Sequence, residues 1–259
     1  MIKFLLILFY ISSLYSLPAE KLITGLELAK RMEARLKPND LKSENTMILT
    51  NKKGRKKTSK LISKSKDDSK KQMIWFLEPK DDYGISFLKI EHADEDDYMN
   101  MWLPGFNKFR RISSQKKTDS FMGSDLSFED LSNRDIEDYD YLIIDASTEC
   151  HDQDIEKKCY ILESKPKDKN SEYSKHISWV DKNKLIALKE ESFDKDEKLL
   201  KTKSINYQQI EEYLIMRELF VKNVQKNHTT LLTIDKISIN LNYTEDIFHT
   251  KNLKRIPLD

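Results

Sequence analysis

The sequence predicts an α+β domain that is mainly β, an antiparallel meander carrying one amphipathic helix. Three observations lead there. Short apolar runs with period-two alternation recur along most of the chain, separated by brief polar turns. A single helical stripe stands near the N-terminus, and no alternation of strands with long helices follows it, which excludes a βαβ plan. The length of 259 residues can bury a sizeable core in one piece, and sheets of this size often run undivided.

The chain starts Met-Ile-Lys and continues with a mostly apolar run from Phe4 to Leu17, closed by Pro18. One positive charge, a short apolar core and small residues at Ser16 and Ala19 describe a secretory signal over residues 1–16, cleaved near 16–19. The run is shorter than the roughly 20 residues of a transmembrane span. Residues 17–259 then form a single domain in the exported compartment. Thr24 and Glu27 have capping-box spacing, with Ile23 and Leu28 placed as a hydrophobic staple. Leu28, Met32 and Leu36 repeat on one stripe beside Ala29, and Pro38 stops the helix.

Strands follow almost without interruption. Residues 45–50 and 55–63 flank the turn Asn51-Lys52-Lys53-Gly54. Residues 70–77 place Met73, Trp75 and Leu77 on one face and Ile74 and Phe76 on the other, because side chains alternate along a strand. Residues 84–91 form the next strand. Residues 98–103 set Met99, Met101 and Leu103 opposite Tyr98, Asn100 and Trp102. Pro104-Gly105-Phe106-Asn107 turns the chain into residues 108–113. Residues 139–147 and 159–164 read as a hairpin around a polar loop bounded by Cys150 and Cys159. The meander continues through 175–180, 185–193, 199–207, 213–221 and 229–239, and residues 246–253 suggest a short terminal helix anchored by Phe248 and Leu253.

Charge narrows the function classes. Lys and Arg total 45 against 44 acids, and this near-balance argues against a dedicated nucleic-acid binder. Aromatics at 10% and regular apolar alternation argue against disorder. The five histidines are scattered, with no HExxH or comparable spacing, so no metal site is expected. Neither GxSxG nor a glycine-rich phosphate loop is present, and no cofactor is expected. Gly123-Ser124-Asp125 reads as a tight corner rather than a nucleophile. The two cysteines, at opposed ends of a hairpin in an exported chain, point to a disulfide. Free or metal-binding thiols are the competing reading, and no CxxC supports it.

Surplus apolar volume remains. Met73, Trp75, Leu77, Met99, Met101, Leu103, Phe121 and Met122 are bulky, and methionine adapts to irregular ligands. They fit either an ordinary sheet–helix core or an apolar cavity in a curved sheet that holds an acyl chain. Arg110 and Arg111, with Gly123, Asp125 and Asp130, would position the central loop, the arginines binding acids such as Asp125, Glu129 or Asp130.

The run WLPGFNKFRRIS at 102–113 followed by SFMGSDLSFEDL at 120–131 closely resembles the LolA-like outer membrane lipoprotein-sorting proteins, and more narrowly the branch associated with RND-type exporters. Trp75-Phe76-Leu77 with Pro79 and Gly84 is similar to another step of that family. So are Cys159-Tyr160-Ile161-Leu162-Glu163, Tyr173-Ser174-Lys175 and Trp179-Val180-Asp181. Phe248 and Leu253 sit where its C-terminal anchors occur. The resemblance implies a curved antiparallel sheet of about eleven strands forming an incompletely closed barrel covered by helices. It also implies a monomeric, non-catalytic periplasmic carrier of lipid or lipoprotein acyl chains, with an RND-type inner-membrane exporter as a possible partner. The alternative is an adaptor or sensor that docks on such an exporter without carrying cargo.

Overall fold

Thr24 starts the one α-helix among the described residues, α1 (Gly25–Glu33), as the capping-box spacing predicts: its hydroxyl accepts the Glu27 N–H at 3.1 Å. The computed structural model describes residues 23–93, 95–152 and 155–257. The signal expected over residues 1–16 lies outside them. Leu28 and Ala29 are buried while Leu36 is 60% exposed, so the helix ends before Pro38 is reached. The sheet beneath it offers apolar cover only to the first two turns, where Leu28 packs with Leu162 and Val180. Gly25 permits this approach, because a Cβ there would stand 2.6 Å from the Tyr141 carbonyl carbon.

Every alternating run becomes a strand. In chain order they are β1 (Asp40–Thr50), β2 (Lys56–Lys66), β3 (Lys71–Glu78), β4 (Ser86–Ile90), β5 (Tyr98–Leu103), β6 (Lys108–Ile112), β7 (Tyr139–Asp152), β8 (Ile155–Pro166), β9 (Lys175–Asp181), β10 (Ala187–Phe193), β11 (Leu199–Ile210), β12 (Tyr213–Asn223) and β13 (His228–Ile239). The count is thirteen, above the eleven or so that the resemblance implied. The C-terminal segment expected to be a helix forms two 3₁₀ turns, Glu245–Ile247 and Thr250–Lys254. Phe248, between the two turns, and Leu253, in the second, both pack on the sheet.

All strands join one antiparallel sheet in the order β6-β5-β4-β3-β2-β1-β13-β12-β11-β10-β9-β8-β7. Each strand pairs with its sequence neighbours, except that β1 pairs with β13 while β6 and β7 are left as the two edges. Bulges at Glu44/Asn45, Ser192/Phe193 and Asn206/Tyr207 bend the strands and raise their twist. The sheet is not closed into a barrel and stays open between edge strands β6 and β7. The chain must cross that opening to continue, and residues 113–138 do so as a loop with three short 3₁₀ turns.

The two faces bury different partners. On one, here called inner, Met47, Leu49, Leu61, Ile74, Phe76, Phe87, Met99, Met101 and Ile112 meet Phe121 and Phe128 of the crossing loop. On the other, Met73, Trp75, Leu88 and Trp102 are covered by Phe248 and Leu253 of the C-terminal segment. Asp40 fixes that segment by accepting the N–H groups of Leu241 and Tyr243 at 2.6 and 2.8 Å.

Candidate functional site

The site lies between the inner face and the crossing loop. Its apolar half is aromatic. Phe121 contacts Phe87 with ring centroids 5.4 Å apart and Phe76 at 6.0 Å, and it meets Phe128 edge-on at 5.8 Å. Tilted and edge-to-face pairs of this kind are favoured over flat stacking by the ring quadrupoles. The loop delivers both rings through a tight corner. Met122 and Gly123 adopt positive φ values of 52° and 78°, and the Ser124 hydroxyl donates to the Phe121 carbonyl at 2.7 Å. Asp125 then ties the corner to β13: it accepts from the Thr230 hydroxyl and is paired with His228 Nδ1, both at 2.8 Å.

The other half is charged and buried. On β9, β10 and β11, His176, Glu190, Lys201 and Lys203 are all at most 8% exposed. Asp130 of the loop enters among them. One carboxylate oxygen accepts Lys203 Nζ at 2.7 Å, and the other accepts Lys201 Nζ at 2.9 Å, the Tyr173 hydroxyl at 2.8 Å and the Ser127 N–H at 2.9 Å. Arg134, nearer the end of the loop, donates to both oxygens of Glu190 at 2.6 and 2.8 Å. Glu190 also accepts from Lys203 at 3.1 Å and from the Ser178 hydroxyl at 3.1 Å. Charge-assisted bonds of this density are what makes such burial tolerable.

Proton affinities follow from this arrangement. Burial alone would raise the Asp130 carboxyl, but Lys203 and Lys201 hold it far below the usual carboxylate range. Glu190 is likewise held well below by Arg134 and Lys203 against its burial. Lys203 is desolvated, yet Asp130 and Glu190 keep its ammonium above its ordinary value. His176 moves well below its ordinary value, first through burial and then through Arg134. Arg134 Nη2 lies 3.2 Å from Nδ1 and can only donate, so Nδ1 accepts in that contact, and the Ser192 hydroxyl lies 2.8 Å from the same nitrogen.

Further contacts stitch the loop across the opening. Lys89 of β4, fully buried, donates to the Leu131 carbonyl at 2.6 Å and pairs with Glu91 at 2.5 Å. Its ammonium is lowered from the ordinary lysine value chiefly by burial. Asn133 N–H donates to Glu91 at 2.7 Å, and Glu129 accepts the Glu172 N–H at 2.8 Å.

The residues singled out from sequence fall in separate places. Met99, Met101 and Phe121 come together on the inner face, with Leu103 and Met122 half-buried against them. Met73 and Trp75 lie on the opposite face under the C-terminal segment, and Leu77, half-buried, is the last residue but one of the same strand. Gly123 lies at the loop's corner with positive φ, Asp125 is bonded to His228 and Thr230 of β13, and Asp130 to Lys201 and Lys203 of β11. The acids expected to bind Arg110 and Arg111 are held instead by His228, the Glu172 N–H and the two lysines. Both arginines are exposed on edge strand β6, too far out to compete with buried partners. Arg110 stands 3.9 Å from Asp119, and Arg111 lies over the Tyr98 ring with its guanidinium carbon 4.5 Å from the centroid.

Cys150 and Cys159 form a disulfide that packs with Ile186 and Leu188. Sequence reading passed over Lys201, Lys203, Glu190, Arg134 and His176. A signal was present: Glu190 and Ser192, and Lys201 and Lys203, occupy alternate positions that face inward. Charges at alternate positions ordinarily mark a solvated face, which is why that signal reads the wrong way without the loop.

Comparison with known proteins places the fold. A family model described as "uncharacterized protein" matches residues 68–255, and no curated protein matches the chain. A domain described as an outer membrane lipoprotein-sorting protein, from Vibrio parahaemolyticus, is 31% identical with a TM-score of 0.82, over 89% of this chain and 98% of its own. A DUF1329 family protein from Desulfovibrio piger is 30% identical with a TM-score of 0.80, over 88% of this chain and 97% of its own. A LolA superfamily protein from Nitrosomonas europaea shares the fold, with 15% identity and a TM-score of 0.69 over 89% of this chain and all of its own. Sequence and topology agree: the chain belongs to the family of the Vibrio lipoprotein-sorting domain and the DUF1329 protein, and it shares its fold with the LolA superfamily protein.

Proposed function

We propose that this protein is a periplasmic carrier that holds an acyl chain between the inner face of its sheet and the crossing loop, and passes it between envelope partners without catalysis. The observation that carries this reading is the sealing of the inner face. A wall of Phe76, Phe87, Met99 and Met101 is covered not by a layer of secondary structure but by two rings, Phe121 and Phe128, on a loop that bridges two unpaired edges. Such a seal exchanges one apolar occupant for another. Burial of a chain contributes about 0.8 kcal/mol per methylene, enough for a chain of ordinary length to displace two rings. The lipoprotein-sorting description of the Vibrio relative supports the same reading.

The test is binding of a fluorescent fatty acid to the protein without its leader, together with lipid analysis of an organic extract of the purified chain. A Met101→Gln variant on the inner face should bind several-fold more weakly, whereas Met73→Gln on the outer face should bind as the parent does. Equal effects would remove the inner face from the site. Exposed Leu142 and Ile144 on edge strand β7 favour a second reading, an adaptor that docks there on an exporter of the RND type. A folded, lipid-free protein that binds no fatty acid would select it.

A further inference from the structure

Asp130 belongs to the loop, yet the pocket around its carboxylate is built largely by the sheet. Lys201, Lys203 and Tyr173, which supply two ammonium groups and a hydroxyl, are 3%, 8% and 1% exposed. These donors converge on one carboxylate at 2.7–2.9 Å. Around it, Arg134, Lys201 and Lys203 face Asp130, Glu172 and Glu190, so the cluster is neutral only while Asp130 is present. Arg134 is clasped by both oxygens of Glu190, so Asp130 is the one acid that both lysines share, Lys203 also reaching Glu190 and Lys201 reaching Glu172. Withdrawing Asp130 would strand one positive charge in a site shielded from water, a costly state unless another anion enters.

The apolar wall begins next door. Phe128, two positions before Asp130, packs on Phe87 with centroids 5.7 Å apart. Along the sheet the loop therefore lays down an apolar group and then an anion, the order of parts in an anionic amphiphile. A cleft of about 230 Å3, lined by Ser124, Ser127, Glu172, Lys201, Lys226 and His228 among others, opens at Lys201. It gives a polar headgroup a way in from solvent.

We propose that Lys201, Lys203 and Tyr173 form a headgroup site for the phosphate or carboxylate of an anionic amphiphile. Asp130 fills it as an internal stand-in while Phe121 and Phe128 fill the chain site. This rests on the carrier reading and adds to it the charge class of the cargo. Loop and ligand then compete for the same two subsites, so the empty protein is self-closed and the loaded one is open.

The experiment measures binding of dodecyl phosphate, dodecanol and inorganic phosphate by calorimetry, to the parent and to Asp130→Asn. The expected result is that dodecyl phosphate binds about ten-fold or more tighter than dodecanol, as a buried charge-assisted contact provides, with the gap wider in Asp130→Asn. Lys203→Gln, if folded by circular dichroism, should narrow the gap. Equal affinities for dodecyl phosphate and dodecanol would overturn the headgroup site while leaving the carrier. Inorganic phosphate binding as tightly as dodecyl phosphate would overturn the amphiphile assignment in favour of a free-anion site. Failure of all three ligands on both proteins would overturn the carrier reading and this proposal together.

Discussion

Lys203 of β11 and Asp130 of the crossing loop meet at 2.7 Å with both side chains nearly excluded from solvent, at 9% and 1% exposure. This contact joins a segment that starts at one edge of the sheet to a strand deep in its other half. It makes the loop part of the core rather than a cover laid over it.

The first prediction concerns that contact. Asp130→Ala would leave Lys201 and Lys203 without their shared counter-charge, and breaking one side of a buried pair costs about 3–5 kcal/mol. Asp130→Asn, which keeps the shape and one acceptor, should cost less. Urea unfolding of the parent and both variants measures these costs, and midpoints equal to the parent's would show that the carboxylate charge contributes nothing.

Acid should loosen the same region. Asp130 and Glu190 are held below their ordinary values in the fold, so their contribution is complete above the unfolded value near 4 and is lost as pH falls below it. His176 is also lowered in the fold. Its neutral form is the bound one, so its contribution is complete above about 6.5 and falls away below that. The melting temperature should therefore fall in two stages, below about 6.5 and again below about 4. His176→Gln should remove the upper stage only.

A cavity variant separates packing from occupancy. Phe121→Ala empties space among Phe76, Phe87 and Phe128 and should cost about 3–5 kcal/mol. If the ring stands where a chain would lie, added fatty acid should raise the melting temperature of this variant more than that of the parent. An equal shift in both proteins would place the chain elsewhere.

The corner at Gly123 should resist substitution. Its φ of 78° is costly for a residue with a Cβ, so Gly123→Ala should lose about 1–2 kcal/mol even though the space beside it is open. Limited proteolysis between residues 117 and 127 should accelerate in that variant, and an unchanged digestion pattern would show that the loop tolerates a different corner.

The Cys150–Cys159 bridge closes a short span, with a sequence separation of 9, and should contribute about 2–3 kcal/mol by limiting the unfolded chain. Thiol titration under denaturing conditions without reductant should find no free thiol in oxidised protein. Reduction should lower the unfolding midpoint without changing the strand content seen by circular dichroism.

The sequence by itself determined the strands, the helix start, the central turn and the family. Each of those rests on local signals: alternation along a strand, a capping hydroxyl three residues from its N–H, or an ordered motif such as SFMGSDLSFEDL. It also brought Met99, Met101 and Phe121 into one set. Only the tertiary structure decided which face that set shares, because two apolar faces of one strand, Met73 with Trp75 and Ile74 with Phe76, look alike until one is covered by the C-terminal segment and the other by the loop. The same holds for the charges. Nothing local to β11 singles out Lys201 and Lys203; they form a buried site because Asp130, some seventy positions earlier in sequence, is carried across an opening that exists only once β1 has paired with β13. Long-range pairing sets which surfaces lose water, and the meaning of a charge depends on that.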